Sequence, residues 1–403
     1  MLPRRFCFIN GVMELNGLKT LIVGGGIGGL TAALALRQKG ADVTVLEQAE
    51  AITEVGAGLQ VSPNGVCVLR ALGLEDGLKQ LGVKARGVSL RNYRDSREVL
   101  HLDLGLLKEQ SYYFLHRADL IGLLADAARE AGVKIRLLQK VESIEASETP
   151  VVHLNNGADL KADLVIGADG LHSKVRTELN GVLAPFFTRQ VAWRAVVPNS
   201  IGHPPQARVH MGPGRHIVSY PLRGGEVLNL VAVQERGAWA EEGWNHKDDP
   251  ANLREAFADF GHEAQGMLAL VHEVGLWGLF RHPVAKTWHR GHVAILGDAA
   301  HPTLPFMAQG AVMAMEDAWV LADALDRGNG IADGLASYQA RRIERATKVI
   351  DTASNNAWKY HLSFGPARFV AHNLLRLGGA VAPGRMLHQF DWIYAHDVTA
   401  EPN

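Results

Sequence analysis

The sequence predicts a mixed α/β protein (α+β in character), with a Rossmann-like dinucleotide-binding domain, an interleaved β-sheet domain and C-terminal helices. Three observations predict it. A glycine cluster, Gly24-x-Gly26-x-x-Gly29, separates a short apolar strand from a helix-forming stretch. Two later apolar strands run into Asp169-Gly170 and Gly297-Asp298. Between Val182 and Pro283 the pattern turns to alternation with a period of two, the mark of half-buried strands.

The elements follow in order. Leu18–Val23 reads as a strand, Leu30–Lys39 as a helix ended by Gly40, and Asp42–Leu46 as a second strand with Glu47 at its carboxyl end. In such a unit one glycine makes the tight turn, one admits a pyrophosphate to the backbone, and one lets helix and strand pack closely. The helix start supplies N–H groups and partial positive charge, and an acid placed like Glu47 accepts hydrogen bonds from a ribose. Residues 14–84 form the first part of this domain, 112–181 the second and 284–361 the third. Gly87–Leu102, within 85–111, reads as a strand pair of the other sheet. Residues 182–283 supply the rest, including Val191–Val197 stopped by Pro198 and a hairpin turned at Gly224-Gly225 as a two-residue loop. His216, Val218 and Tyr220 share one face there, with Asn229 opposite Tyr220. Gly310 opens a helix whose apolar face includes Val312, Met315, Trp319, Ala322 and Leu325. Asp333 is placed as the cap of a long helix running to about His361. Residues 362–403 form a helical tail.

Composition removes other classes. The chain has 403 residues, which suggests two or three domains. It carries 41 Lys+Arg against 42 Asp+Glu, so no polybasic footprint for nucleic acid exists. Its two cysteines, Cys7 and Cys67, cannot build a disulfide scaffold, and a cytoplasmic location is expected. The apolar run Phe6–Ile9 is too short for a signal peptide, and Met13 is a candidate start. Arg368, His372 and Arg376 interrupt the most apolar C-terminal stretch, so no membrane span is expected. His262-Glu263 and His272-Glu273 lack the second His of a zinc protease, no metal is expected, and no Gly-x-Ser-x-Gly elbow occurs. Leu30 stands where a P-loop needs Lys.

Taken with Arg117 in His116-Arg117-Ala118-Asp119-Leu120 and the stretch Pro305–Val312 leading to Glu316-Asp317-Ala318, these motifs resemble the aromatic hydroxylase family of FAD-dependent monooxygenases. That group includes p-hydroxybenzoate, salicylate, 3-hydroxybenzoate and 6-hydroxynicotinate hydroxylases. The resemblance runs from about Leu18 to about Tyr360. It implies a p-hydroxybenzoate hydroxylase-like fold that binds FAD non-covalently, with NADH or NADPH as transient co-substrate and O₂ as oxidant. The absence of a second complete Gly-x-Gly-x-x-Gly unit fits such transient nicotinamide binding.

Carried to these positions, the resemblance implies that Asp298 bonds the ribityl chain and Arg117 the flavin nucleotide. Asp169-Gly170 serves both nucleotides, and the Gly56-Ala57-Gly58-Leu59-Gln60 segment passes the isoalloxazine. The first turn at Gly310, with the N–H groups of Ala311 and Val312, faces the flavin N1–C2=O edge. For the substrate it implies His216 as base, Tyr220 beside it and Pro305, Met307 and Gln309 as cavity wall, with His210 as a further candidate. Pro305 stands where 3-hydroxybenzoate 6-hydroxylases are expected to carry Gln.

The implied reaction is hydroxylation of a small phenolic or hydroxypyridine-type ring through a flavin hydroperoxide. Two other readings stay open. One is a same-fold flavoenzyme that epoxidises or hydroxylates a larger natural product; the other is a non-catalytic FAD-binding sensor. Trp193-Arg194-Ala195 does not match the expected flavin-halogenase signature. A monomer or a homodimer is expected.

Overall fold

The computed structural model describes residues 8–9, 12–13, 15–52, 57–107, 110–237 and 247–400. Among these, the strands form two large sheets and several small ones. In the six-stranded sheet five strands lie parallel, in the order Lys134–Arg136, Asp42–Leu46, Lys19–Val23, Leu164–Gly167 and Val293–Ile295. His289–Arg290 closes one edge antiparallel. Helices cover this sheet, which is why Leu164–Gly167 and Val293–Ile295 are buried at every position.

The eight-stranded sheet runs Lys247–Asp248, Val274–Arg281, Phe186–Pro198, Val227–Glu235, Arg215–Leu222, Gln206–Gly212, Gly87–Asn92 and Glu98–Asp103. Its pairs are antiparallel except Gln206–Gly212 with Gly87–Asn92. The alternation in Phe186–Pro198 sorts side chains between two cores. Val191, Trp193, Ala195 and Val197 pack with Leu253, Phe257, Phe260 and Met267 from the helices Pro250–Ala256 and His262–Ala269 and the loop between them. Ala192 turns the other way, with Val233, Leu279, Leu304 and Phe306, toward the six-stranded sheet.

Several expectations change. The first helix is Ile27–Gln38, three residues longer at its start, so the glycine cluster forms its first turn. Its poor glycine propensity concealed that turn, which the phosphate-cradle geometry requires. The hairpin loop holds four residues, because Leu222 pairs with Val227; a 3₁₀ turn at Arg223–Gly225 spans it. The long helix is Ile331–Tyr360, with Asp333 inside its first turn and its carboxylate accepting from the Asn329 N–H at 3.0 Å. Phe8–Ile9 and Val12–Met13 pair as short strands ahead of Leu18, which the pattern did not foretell. The tail forms the helices Gly365–Val381, Pro383–His388 and Asp391–Tyr394. Among the described residues no helix is long and apolar enough to cross a membrane.

Candidate active site

A cavity of about 430 Å³ lies between the carboxyl ends of the parallel strands and one face of the eight-stranded sheet. On the parallel-sheet side, two helix starts reach it. Ile27–Gln38 and Gly310–Arg327 both begin without a side-chain cap and without an acid in the first turn. Their leading N–H groups and dipoles therefore remain available to a ligand. Gly26, Ile27 and Gly28 line the cavity from the first, Gly310 and Ala311 from the second.

Close backbone packing builds the first start. A Cβ on Gly29 would lie 2.0 Å from the Gly24 carbonyl oxygen, so only glycine lets the helix meet the strand end there. Gly26 has open space where a Cβ would project. Glu47 holds the turn: one oxygen accepts from the Gly25 N–H at 2.7 Å and the other from Ala49 N–H at 2.8 Å. A carboxylate has further lone pairs, so Glu47 can still accept from a ribose hydroxyl.

Asp298 lies on the cavity wall beside Arg117. It forms no hydrogen bond with other described residues, and its open surface lines the cavity. The protein packed around the cavity mouth desolvates its carboxyl and raises it above the usual range, while the charges of His301 and Arg117 pull it down. A network behind it fixes the loop. Asp317 accepts from the Gly297 N–H at 3.0 Å and pairs with His301 and, at 2.8 Å, with Arg342. Its neighbour Glu316 pairs with Arg342 at 2.7 Å, is gripped by Arg345 through two bonds, and accepts from Asn64 at 2.7 Å. Burial opposes the Asp317 charge, but His301 and Arg342 outweigh it and hold the carboxyl at about 2.

These features fit FAD. The Gly26 turn and helix start suit a pyrophosphate, Glu47 a ribose, Asp298 a polyol chain, and the Gly310 turn an electron-rich ring edge. Gly58 also lines the cavity, wedged so tightly that a Cβ would lie 2.7 Å from both Asn229 and Tyr220. Its N–H donates to Asn229 Oδ1 at 2.7 Å. Gly56 lies outside the described residues.

The sheet side carries different chemistry. His216, Val218 and Tyr220 all face the cavity, as do Pro305 and Met307. Burial, with His361 nearby, holds the His216 imidazole well below its usual pKa. Burial pushes the Tyr220 hydroxyl up, against the pull of Arg194. Arg194 was not foreseen. It pairs in register with Val231, which pairs with Val218, so its place is two strands from Val218, about 10 Å across the sheet. Its guanidinium lies 5.4 Å from the Trp277 ring centre, and it forms no hydrogen bond with another described residue. A half-buried cation in that condition, on a cavity wall, calls for an anion. Its parity, opposite to Trp193, was readable; which face meets the cavity was not.

Other expected residues stand elsewhere. Gln309 turns its amide away, donating to Ser62 Oγ at 2.9 Å and accepting from Asn64 at 3.0 Å. His210 pairs in register with Ile217 and points to the opposite face, 3.5 Å from Glu263. Strand parity separates His210 from the His216 side. Asp169 caps the Lys174–Asn180 helix, bonding Ser173 Oγ at 2.5 Å and Lys174 N–H at 2.7 Å. Its neighbours Ala168, Leu171 and His172 line the cavity instead. Gly24 and Gly29 serve packing behind the wall, and Val312 is buried against the Gly65 position.

A second cavity, about 850 Å³, shares Val88, Tyr112, Phe306, Met307, Tyr360 and Tyr394 with the first. It extends to Leu375 and Leu387 of the C-terminal helices.

Residues 17–353 match the family model described as FAD binding domain. A 3-amino-4-hydroxybenzoate 2-monooxygenase from Streptomyces cremeus is 36% identical, over 87% of this chain and 89% of its own. A 3-hydroxybenzoate 6-hydroxylase from Aquipseudomonas alcaligenes is 34% identical, over 94% and 97%. Among solved structures, a variant of HpxO from Klebsiella pneumoniae complexed with FAD superposes with a TM-score of 0.83 at 26% identity, over 94% of this chain and 98% of that one.

Proposed function

The chain belongs to the FAD-dependent aromatic hydroxylase family and is an FAD-dependent monooxygenase, and from that premise we propose a substrate ring bearing both an ionisable hydroxyl and a carboxylate. The observation that carries this is Arg194, a half-buried guanidinium on the cavity wall without a hydrogen-bonded partner among the described residues. Both relatives are named for rings with these two groups. When bound and reduced by NADH or NADPH, FAD supplies an electrophilic oxygen derived from O₂.

Each residue then has a task. Arg194 holds the carboxylate and sets the ring's direction. His216, neutral because it is buried, takes the hydroxyl proton and makes the ring a better nucleophile. Tyr220 stays protonated and hydrogen-bonds the same oxygen. Leu279, Leu304 and Phe306 exclude water. Arg117, Asp298 and the Gly310 turn hold the cofactor. Because NAD(P)H is the reductant, we place the enzyme in the cytoplasm.

The test is NAD(P)H oxidation, oxygen uptake and product yield across hydroxybenzoates, hydroxypyridine carboxylates and their decarboxylated phenols. The acids should be turned over with KM lower by tenfold or more. Equal turnover of acids and phenols, or an R194M variant with unchanged KM, overturns the reading. The adjoining 850 Å³ cavity supports a second reading, a larger natural-product substrate. Activity confined to extended aromatics would select it.

A further inference from the structure

We propose that His361 and Glu235 form, with His216, a relay that carries the substrate hydroxyl proton from the cavity to solvent. This rests on the reading of His216 as base and deepens it. His216 Nδ1 lies 2.7 Å from His361 Nε2, and His361 Nδ1 lies 2.8 Å from Glu235 Oε1. The three groups come from the Arg215–Leu222 strand, from just beyond the Ile331–Tyr360 helix, and from the end of the Val227–Glu235 strand.

The carboxylate dictates the direction of every bond. An ionised Glu235 only accepts, so His361 must carry its proton on Nδ1 and present a lone pair at Nε2. His216 must then carry its proton on Nδ1 and donate to that lone pair. Its Nε2 is left as an acceptor for the cavity that the side chain lines. The arrangement therefore selects the tautomer a base needs, as an orienting acid does for a catalytic imidazole.

Burial changes along the path. His216 and His361 are 3% and 4% exposed, whereas the Glu235 side chain is 52% exposed. Burial lowers the pKa of both imidazoles, with Glu235 opposing it at His361. Neither ring keeps a second proton at neutral pH, so one that enters moves on. The substrate oxygen–hydrogen bond breaks as a bond to His216 Nε2 forms. The His216 Nδ1 proton passes to His361 Nε2, and the His361 Nδ1 proton to Glu235. Water then removes it, leaving substrate phenolate and three groups with unchanged total charge.

The surroundings keep the path fixed. The Gly214 N–H donates to the His361 carbonyl at 3.1 Å, and the Glu235 N–H to the Gly214 carbonyl at 2.9 Å. The Phe306 and Tyr360 rings lie 5.7 and 5.6 Å from the His216 ring. Among the charged and titratable groups near the path, Tyr360 is kept neutral by burial, and Arg215 is tied to Asp259.

The experiment uses FAD-loaded enzyme and its most active hydroxybenzoate from the panel above. Stopped flow follows phenolate absorbance, and a pH indicator follows proton release. H361G should slow both at least tenfold, with substrate and FAD affinity within twofold, and free imidazole should restore the rate. E235Q should slow proton release, and E235D should largely retain it. H216A slowed with H361G at wild-type speed overturns the relay and leaves the base reading standing. H216A at wild-type speed, or no hydroxybenzoate bound, overturns the base reading and the relay with it. H361G slowed but not restored by imidazole assigns His361 a packing role and overturns the relay.

Discussion

In the proposed reading Arg194 and His216 divide the substrate's polar ends between them, and each predicts a separable defect. R194M should raise KM for carboxylated substrates about 10- to 100-fold, the loss of a charge-assisted bond worth about 1.5–3 kcal/mol. Its kcat should change less, which steady-state kinetics on acid and decarboxylated pairs will show. For His216 the sign of the pH effect follows from its lowered pKa. A base whose pKa lies below 6.5 is still unprotonated at pH 6.5, so the acid limb of kcat/KM falls below that value; a limb at or above pH 7 contradicts the assignment. D298N should weaken FAD binding roughly 10- to 100-fold by flavin fluorescence titration, again for a charged hydrogen bond. At this scale the sequence was legible where chemistry is local to a strand: His216 and Tyr220 share a face by parity alone. Arg194 has the same kind of parity signal, but no single strand reveals which face meets a cavity. His361 approaches His216 from 145 positions away, and only the fold brings them together.

The helix Gly310–Arg327 serves two ends at once. Its first turn faces the cavity, while Glu316 and Asp317, both fully buried, meet Arg342 and Arg345 of the next helix. Removing Arg342 leaves two buried carboxylates with less compensation. R342M should therefore cost about 3–5 kcal/mol in denaturant unfolding. A smaller loss, near that of a surface pair, would show the network to be dispensable. The pH dependence runs one way. Asp317 has its carboxyl depressed to about 2, so its contribution is full above the unfolded value of roughly 3.9 and is lost as pH falls toward 2. The existence of these elements was readable from apolar period and glycine punctuation. The start of Ile27–Gln38 was not, since glycines that make a phosphate cradle are poor helix formers. Gln309 and Asp169 were drawn toward the site by their place in motifs, yet local capping and side-chain bonds claim both.

The whole molecule is held by a chain that passes between the two large sheets four times, through Gly87–Asn92 and Glu98–Asp103 and again through Phe186–Arg281. The composition and the alternation over 182–283 foretold two kinds of sheet. Which edges would join, and the parallel pairing of Gln206–Gly212 with Gly87–Asn92, depended on contacts between residues more than a hundred apart. This interleaving also orders events during synthesis. The proposed cofactor cradle begins at Gly26 but is not complete until Asp298 and Gly310, about three quarters of the way along the 403 residues. A nascent chain emerging from the ribosome thus shows its glycine turn early and must wait for most of its length before it can capture FAD.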